Sequence, residues 1–150
     1  MEKGKVIAIS ISTRRGLPKK NVPEARFVED WGIEGDAHAG KWHRQVSILA
    51  VESIDKMREK LPTLRPGAFA ENLTTKFLKV PELSVGDRLV IGEVVLEITQ
   101  KGKECHTGCA ISYIVGDCVM PKEGIFARVI KGGTVRVGDE VVVLKPEPVS

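Results

Sequence analysis

The sequence predicts a mainly β protein: a closed or nearly closed antiparallel β-barrel with a few short helices at its rim. Three observations carry that expectation. At least seven short stretches alternate apolar and polar residues with a period of two, as half-buried strands do. Gly-Asp and Gly-Gly pairs separate several of them, where tight turns are needed. Only one stretch, Glu52 to Leu61, has convincing helical spacing, with Ile54, Met57 and Leu61 on one face and charges opposite. A ring of hairpins also removes the open sheet edges that would otherwise aggregate.

In chain order, Val6 to Ile11 is the first predicted strand. It runs into Ser12 to Lys20, a loop with four basic residues, Arg14, Arg15, Lys19 and Lys20, which is either a solvated loop or an anion-binding lip. Val22 to Val28 is predicted as an irregular second strand. Gly32 to Gly40 has three glycines in nine residues and carries Asp36 and His38. With His43 these two form either a metal-ligating set or local hydrogen-bonding groups. Gln45 to Val51 is a strand feeding the helix, which Pro62 stops. Pro66 to Thr74 is a turn leading into a segment where Glu71 and Asn72 stand among apolar neighbours, a pattern open to backbone capping or to a ligand-facing role. DRLVI and VVLEIT make a hairpin at Gly92-Glu93. Phe126 to Ile130 and Thr134 to Val137 flank Lys131-Gly132-Gly133 as a second hairpin, and Glu140 to Leu144 is the last strand. Val-Gly-Asp precedes two of these strands, at Val85 and Val137. The tail from Pro146 to Ser150 is expected to fray.

At 150 residues and 42% hydrophobic, the chain is expected to be one globular domain, residues 1 to 150. Its 23 basic and 20 acidic residues are too evenly mixed to indicate nucleic acid, and 5% aromatic content disfavours base-stacking platforms. No run reaches the length of a membrane helix, and the first residues lack the pattern of a signal peptide. Three cysteines, an odd number, suit a reducing compartment, so the expected location is cytoplasmic with no membrane partner.

All three cysteines fall between Gln100 and Val129. Cys105 follows the VVLEIT strand in a loop bounded by Gly102 and Gly108, with Lys101, Lys103 and His106 close in sequence. A thiol has an ordinary pKa of about 8.5, and neighbouring positive charge raises its thiolate fraction. Cys105 is therefore the candidate nucleophile or soft-metal ligand. Cys118, between Asp117 and Val119, suits simple burial. Cys109 is four residues from Cys105 and would share its face if this segment is helical. A zinc site would use Cys105, His106, Cys109 and Cys118, without the paired C-x2-C spacing of structural zinc motifs.

Taken together, GIEGDAHAG at Gly32 to Gly40 with RQVSIL after it, PGAFAENLT at Pro66 to Thr74, LSVGDRLVIGEVVLEITQ, the cysteine loop and GIFARVIKGGTVRVGDEV resemble the MOSC domain family. That family is named for the C-terminal part of molybdenum-cofactor sulfurases and includes free-standing bacterial proteins. The resemblance runs from about Lys5 to Leu144. It implies a β-rich fold and a role with molybdenum cofactor (molybdopterin) or sulfur, the family's prominent cysteine falling on Cys105. There it carries sulfur as a persulfide or ligates molybdenum, in sulfur transfer or molybdenum-dependent redox chemistry. Many members have Arg-x-Pro-Cys where this chain has Lys103-Glu104-Cys105. The resemblance further implies that Arg14, Arg15, Arg44 and Lys103 hold the anionic pterin, with Asp36, His38, Glu71 and Asn72 lining the same cleft. Pyridoxal phosphate would belong only to a separate cysteine desulfurase partner, and a molybdoenzyme is the other expected partner. The alternatives are a non-catalytic cofactor-delivery module and a zinc-stabilised interaction domain.

Overall fold

A computed structural model describes residues 2–13, 19–59, 61–69, 71–102 and 124–145. The β1 strand (Lys3–Ile11) starts a closed ring of seven strands. Around the ring β1 is followed by β11 (Glu140–Leu144), β7 (Arg88–Ile91), β8 (Val94–Lys101), β9 (Ile125–Lys131), β5 (Val46–Ala50) and β6 (Leu73–Lys76), which returns to β1. The nine-residue β1 serves two neighbours on one edge. Lys3 to Lys5 pair with β11, and Ile9 to Ile11 pair with β2 (Lys20–Val22). A smaller sheet of β3 (Glu24–Val28), β4 (Gly32–Ile33) and β10 (Gly133–Arg136) packs beside the ring.

Alternation decides what fills the barrel. On β5, Val46, Ile48 and Ala50 join the main core with Leu73, Leu89, Leu96, Ile98, Ile125 and Val141. A bulge between Val6 and Ala8 puts Val6 and Ile9, three apart, in that same core. Of the other two β5 residues, Ser47 and Leu49, Leu49 faces outward into a second cluster with Ile54, Leu64, Phe69 and Phe126. Both faces of β5 are thus covered, and all five residues are buried. The cover is α1 (Val51–Arg58) and the turn after it. Helical bonding stops at Arg58, three residues before the predicted end, where the Arg58 Nε–H donates to Leu64 O at 2.9 Å and holds the chain in its turn.

Three expectations are corrected. Val22 to Val28 is two strands rather than one, interrupted at Pro23, which has no N–H to donate and whose carbonyl accepts from Val137 N. Lys131-Gly132-Gly133 does not close a hairpin. The β9 strand pairs with β8 and β5, whereas β10 pairs with β3. The two glycines serve close approach instead. A Cβ on Gly132 would lie 2.6 Å from Phe27 O, and one on Gly133 would meet the Glu93 side chain. Finally, β6 is a strand where only a turn and a following segment were expected. Its pairing with β5 is parallel, an exception in an otherwise antiparallel ring, made possible by the crossover through α1. Among the described residues no helix is long and apolar enough to cross a membrane.

Candidate functional site

The site begins at a defect in β8. Ile98 pairs with Ala127 and Gln100 with Phe126, so Thr99 is an extra residue and the strand bulges there. The bulge places Gln100 opposite Phe126, whose ring lies in the outer cluster. Phe126 pairs in turn with Ser47 of β5. Ser47 N donates to Asn72 Oδ1 at 2.9 Å, and Asn72 Nδ2 donates to Ser10 O of β1 at 3.1 Å. Gln100, Phe126, Ser47, Asn72 and Ser10 therefore form one row across the barrel wall. At about 4.8 Å per strand, Gln100 and Asn72 are on the order of 14 Å apart along it.

At the Gln100 end, one carboxamide gathers three partners. Its Oε1 accepts from Arg44 Nε at 2.9 Å and lies 2.8 Å from His43 Nε2, while its Nε2 donates to Gly102 O at 2.7 Å. Thr99 Oγ1 donates to His43 O. Gly102 N donates to Gly124 O at 2.7 Å, so the two ends of the segment that carries the cysteines leave the barrel side by side. The Arg44 guanidinium lies over the Phe126 ring, 5.2 Å from its centroid. Its Nε is engaged and one face is covered, whereas its two Nη groups pair with no carboxylate among the described residues. That leaves the paired edge suited to two oxygens of a carboxylate or phosphate.

At the other end of the row lies a buried ion pair that the sequence did not single out. Lys19 Nζ meets Asp36 Oδ1 at 2.7 Å, with both side chains essentially out of solvent. Asp36 also accepts from Ser12 N and His38 N, both at 3.1 Å. Burial works against its charge, but Lys19, the Ser12 N–H and the Asn72 amide outweigh it and hold the carboxyl below its ordinary 3.8. Asn72 thus connects Asp36 to the row. Glu71 is fully buried and accepts from Phe69 N at 3.1 Å and Thr74 Oγ1 at 3.2 Å. Here burial prevails over these donors and pushes the carboxyl above 4.5.

The structure thus brings Asp36 and Asn72 into contact and places both as buried hydrogen-bonding centres. Glu71 braces the 66–69 turn next to them. His38 lies with Nδ1 3.8 Å from Asp36 Oδ2, and Arg44 stands at the far end of the row. Arg14, Arg15, Lys103 and Cys105 lie outside the described residues. Among the described residues no three His, Cys, Asp or Glu side chains are grouped to hold a metal ion, so Asp36, His38 and His43 do not form such a set. Gln100, Lys19, Ser47 and Ser10 were missed. Each takes the role described through a partner at least 17 residues away, and nothing local marks it.

The MOSC domain family matches residues 35–142, most of the chain and nearly all of the barrel beyond β1 to β4. The chain belongs to the MOSC domain family. Solved structures share the MOSC fold. The YUAD protein of Bacillus subtilis superposes with a TM-score of 0.81 at 20% identity, covering 97% of each chain. YiiM of Escherichia coli gives 0.67 at 19% identity, over 95% of this chain and 71% of that one. YiiM of Geobacillus stearothermophilus gives 0.70 at 18% identity, over 95% and 75%. A search of curated proteins returns no match for this MOSC chain.

Proposed function

We propose that this MOSC protein binds molybdenum cofactor, or a related anionic pterin, and uses Cys105 to carry sulfur or to ligate molybdenum. The observation that supports the binding half is Arg44, pinned at Nε by Gln100 and stacked on Phe126, with its Nη edge left for an oxyanion. The phosphate of a pterin cofactor fits that edge. Lys41 and His43 stand beside it on the same loop, and Arg14, Arg15 and Lys103 are the further basic residues assigned to the ligand. When bound, the cofactor supplies a molybdenum centre for redox chemistry or for accepting sulfur.

The chain's own part is binding and delivery. The Gly102–Gly124 hydrogen bond anchors both ends of the cysteine segment next to Gln100, two residues from the group that orients Arg44. In the sulfur-carrier reading, the Cys105 thiolate attacks the outer sulfur of a persulfide on a cysteine desulfurase partner. One S–S bond breaks, a new one forms on Cys105, and the partner leaves as its thiolate. No external oxidant is consumed.

Mass spectrometry of protein purified from its native host tests both halves, reading bound pterin and one added sulfur on the cysteine peptide. Cys105→Ser should abolish the sulfur adduct, and Arg44→Ala should lose the pterin. A Cys105→Ser protein with full cofactor binding and full activity would leave the delivery-module reading in its place.

A further inference from the structure

Phe126 and Arg128 are successive outward residues of β9, on the order of 7 Å apart, while Ile125, Ala127 and Val129 fill the core. Arg44 covers the first of them. The second lines a hollow of about 440 Å³ together with Asp30, Trp42, His43 and Thr99. Two of these residues also belong to the Arg44 site. His43 Nε2 lies 2.8 Å from the Gln100 Oε1 that holds Arg44, and Thr99 Oγ1 donates to His43 O. The hollow and the Arg44 edge are therefore neighbours on one face of the barrel.

Two acids line the hollow. Glu97 is already paired, with Arg88 at 3.2 Å and with Arg128 at 3.6 Å. Asp30 pairs with no cation among the described residues, although Lys41 lines the same hollow. Its place is fixed from behind. Asp30 N donates to Val129 O at 2.9 Å, and the fully buried Gln45 accepts from Val129 N at 2.9 Å while its Nε2 donates to Asp30 Oδ1 at 3.2 Å. The backbone at Asp30 has φ 49, a left-handed conformation at which Asp and Asn are among the few side chains at ease. Since Gln45 uses one lone pair of Oδ1, the carboxylate keeps capacity for two further donors, one on each oxygen. Trp42 is held at its edge, Nε1 donating to His38 O at 2.8 Å, and brings a flat apolar ring to the same hollow.

Two parallel N–H donors match the two oxygens of a carboxylate, as those of a guanidinium do. The amino-pyrimidinone half of a pterin has such an edge, a ring N–H beside an exocyclic amino group. From these features we infer that the hollow is a ring subsite, in which Asp30 accepts both donors of the amino-pyrimidinone edge beside Trp42 while the phosphate of the same ligand lies on Arg44. The inference rests on the pterin reading of the Arg44 edge and adds the residue that selects the ring.

Calorimetric titration with hydroxymethylpterin and hydroxymethyllumazine tests it. The lumazine has a carbonyl in place of the amino group and so sets an oxygen against Asp30. The native chain should prefer the pterin by roughly 10- to 100-fold. Asp30→Asn keeps the shape, the backbone conformation and an oxygen for Gln45 but turns one acceptor into a donor, so it should reverse the preference. Asp30→Gly, also at ease at that φ, should abolish the preference without reversing it. Circular dichroism checks that both variants keep the native fold. Equal ranking of the two rings by the native and Asp30→Asn proteins overturns the inference, as does a native chain that binds neither ring. The phosphate ester of hydroxymethylpterin separates this failure from that of the cofactor reading: if the ester still binds and is lost in Arg44→Ala, only the ring subsite has failed.

Discussion

Gln100 Oε1 and Arg44 Nε lie 2.9 Å apart although 56 residues separate them, and the contact decides the orientation of both side chains. Arginine can only donate, so the oxygen of the amide must face it. The amide nitrogen then donates to Gly102 O, as observed. His43 Nε2, 2.8 Å from the same oxygen, must therefore carry a proton as well.

The first prediction follows for His43. Its neutral ring is the Nε2–H tautomer, with the lone pair on Nδ1. Two-bond nitrogen–proton correlations in NMR distinguish the tautomers, and an Nδ1–H ring in the native protein contradicts the arrangement. In Gln100→Leu the preference should disappear.

Arg44 and Gln100 should affect anion binding unequally. Arg44→Lys keeps the charge but cannot hold Gln100 through one nitrogen while presenting a paired edge from two others. Hydrogen bonds to charged groups are worth about 1.5–3 kcal/mol, so a phosphorylated pterin should bind roughly 10- to 100-fold more weakly. Gln100→Leu leaves the guanidinium in place but unanchored and should cost less than Arg44→Lys. Calorimetric titration measures both, and equal affinity in Arg44→Lys and the native protein argues against this edge as the anion site.

Lys19→Met strands the Asp36 carboxylate in a buried position. Breaking such a pair from one side costs about 3–5 kcal/mol, seen as a lower urea midpoint at neutral pH. The acid limb follows from the same carboxyl. Its folded pKa lies below 3.8, so the stabilisation is complete above the unfolded value and is lost as pH falls through the folded one. Native protein should lose this contribution only below about pH 4, and Asp36→Asn should flatten that part of the profile.

Glu71 has the opposite sign. Its folded pKa lies above 4.5, so the folded state binds the extra proton and stability falls as pH rises from the unfolded value through the folded one. Glu71→Gln can still accept from Phe69 N and can donate to Thr74 Oγ1, so it should remove this pH dependence and be at least as stable at neutral pH. Glu71→Leu leaves Phe69 N without its partner and should cost about 1–3 kcal/mol. Thermal melts across a pH series separate the three proteins.

Gly67 sits at φ 97, and a Cβ there would lie 2.6 Å from Lys19 O and 3.0 Å from Ser10 Oγ. Gly67→Ala should therefore move the two strands that position Lys19 and Asn72, with a loss above the about 1 kcal/mol typical of a point change. Urea unfolding tests it, and a neutral result would mean that this turn yields freely.

How much of this was legible in one dimension differs by element. The stretches Arg88 to Ile91, Val94 to Lys101 and Glu140 to Leu144 follow directly from period-two alternation, because that pattern states which side chains face the barrel interior. The helix after β5 was equally plain, and the family was evident from several motifs together. Alternation does not name a strand's partner. The sequence by itself determined the β class, most strands, the helix that follows β5 and the MOSC resemblance. Only the tertiary structure decided that β10 leaves the ring for β3, that β5 and β6 run parallel, that Lys19 neutralises Asp36, and that a bulge at Thr99 turns Gln100 towards Arg44. The physical reason is that pairing, register and buried charge compensation depend on groups brought together by barrel closure, whereas local patterning records only how each residue faces its own strand.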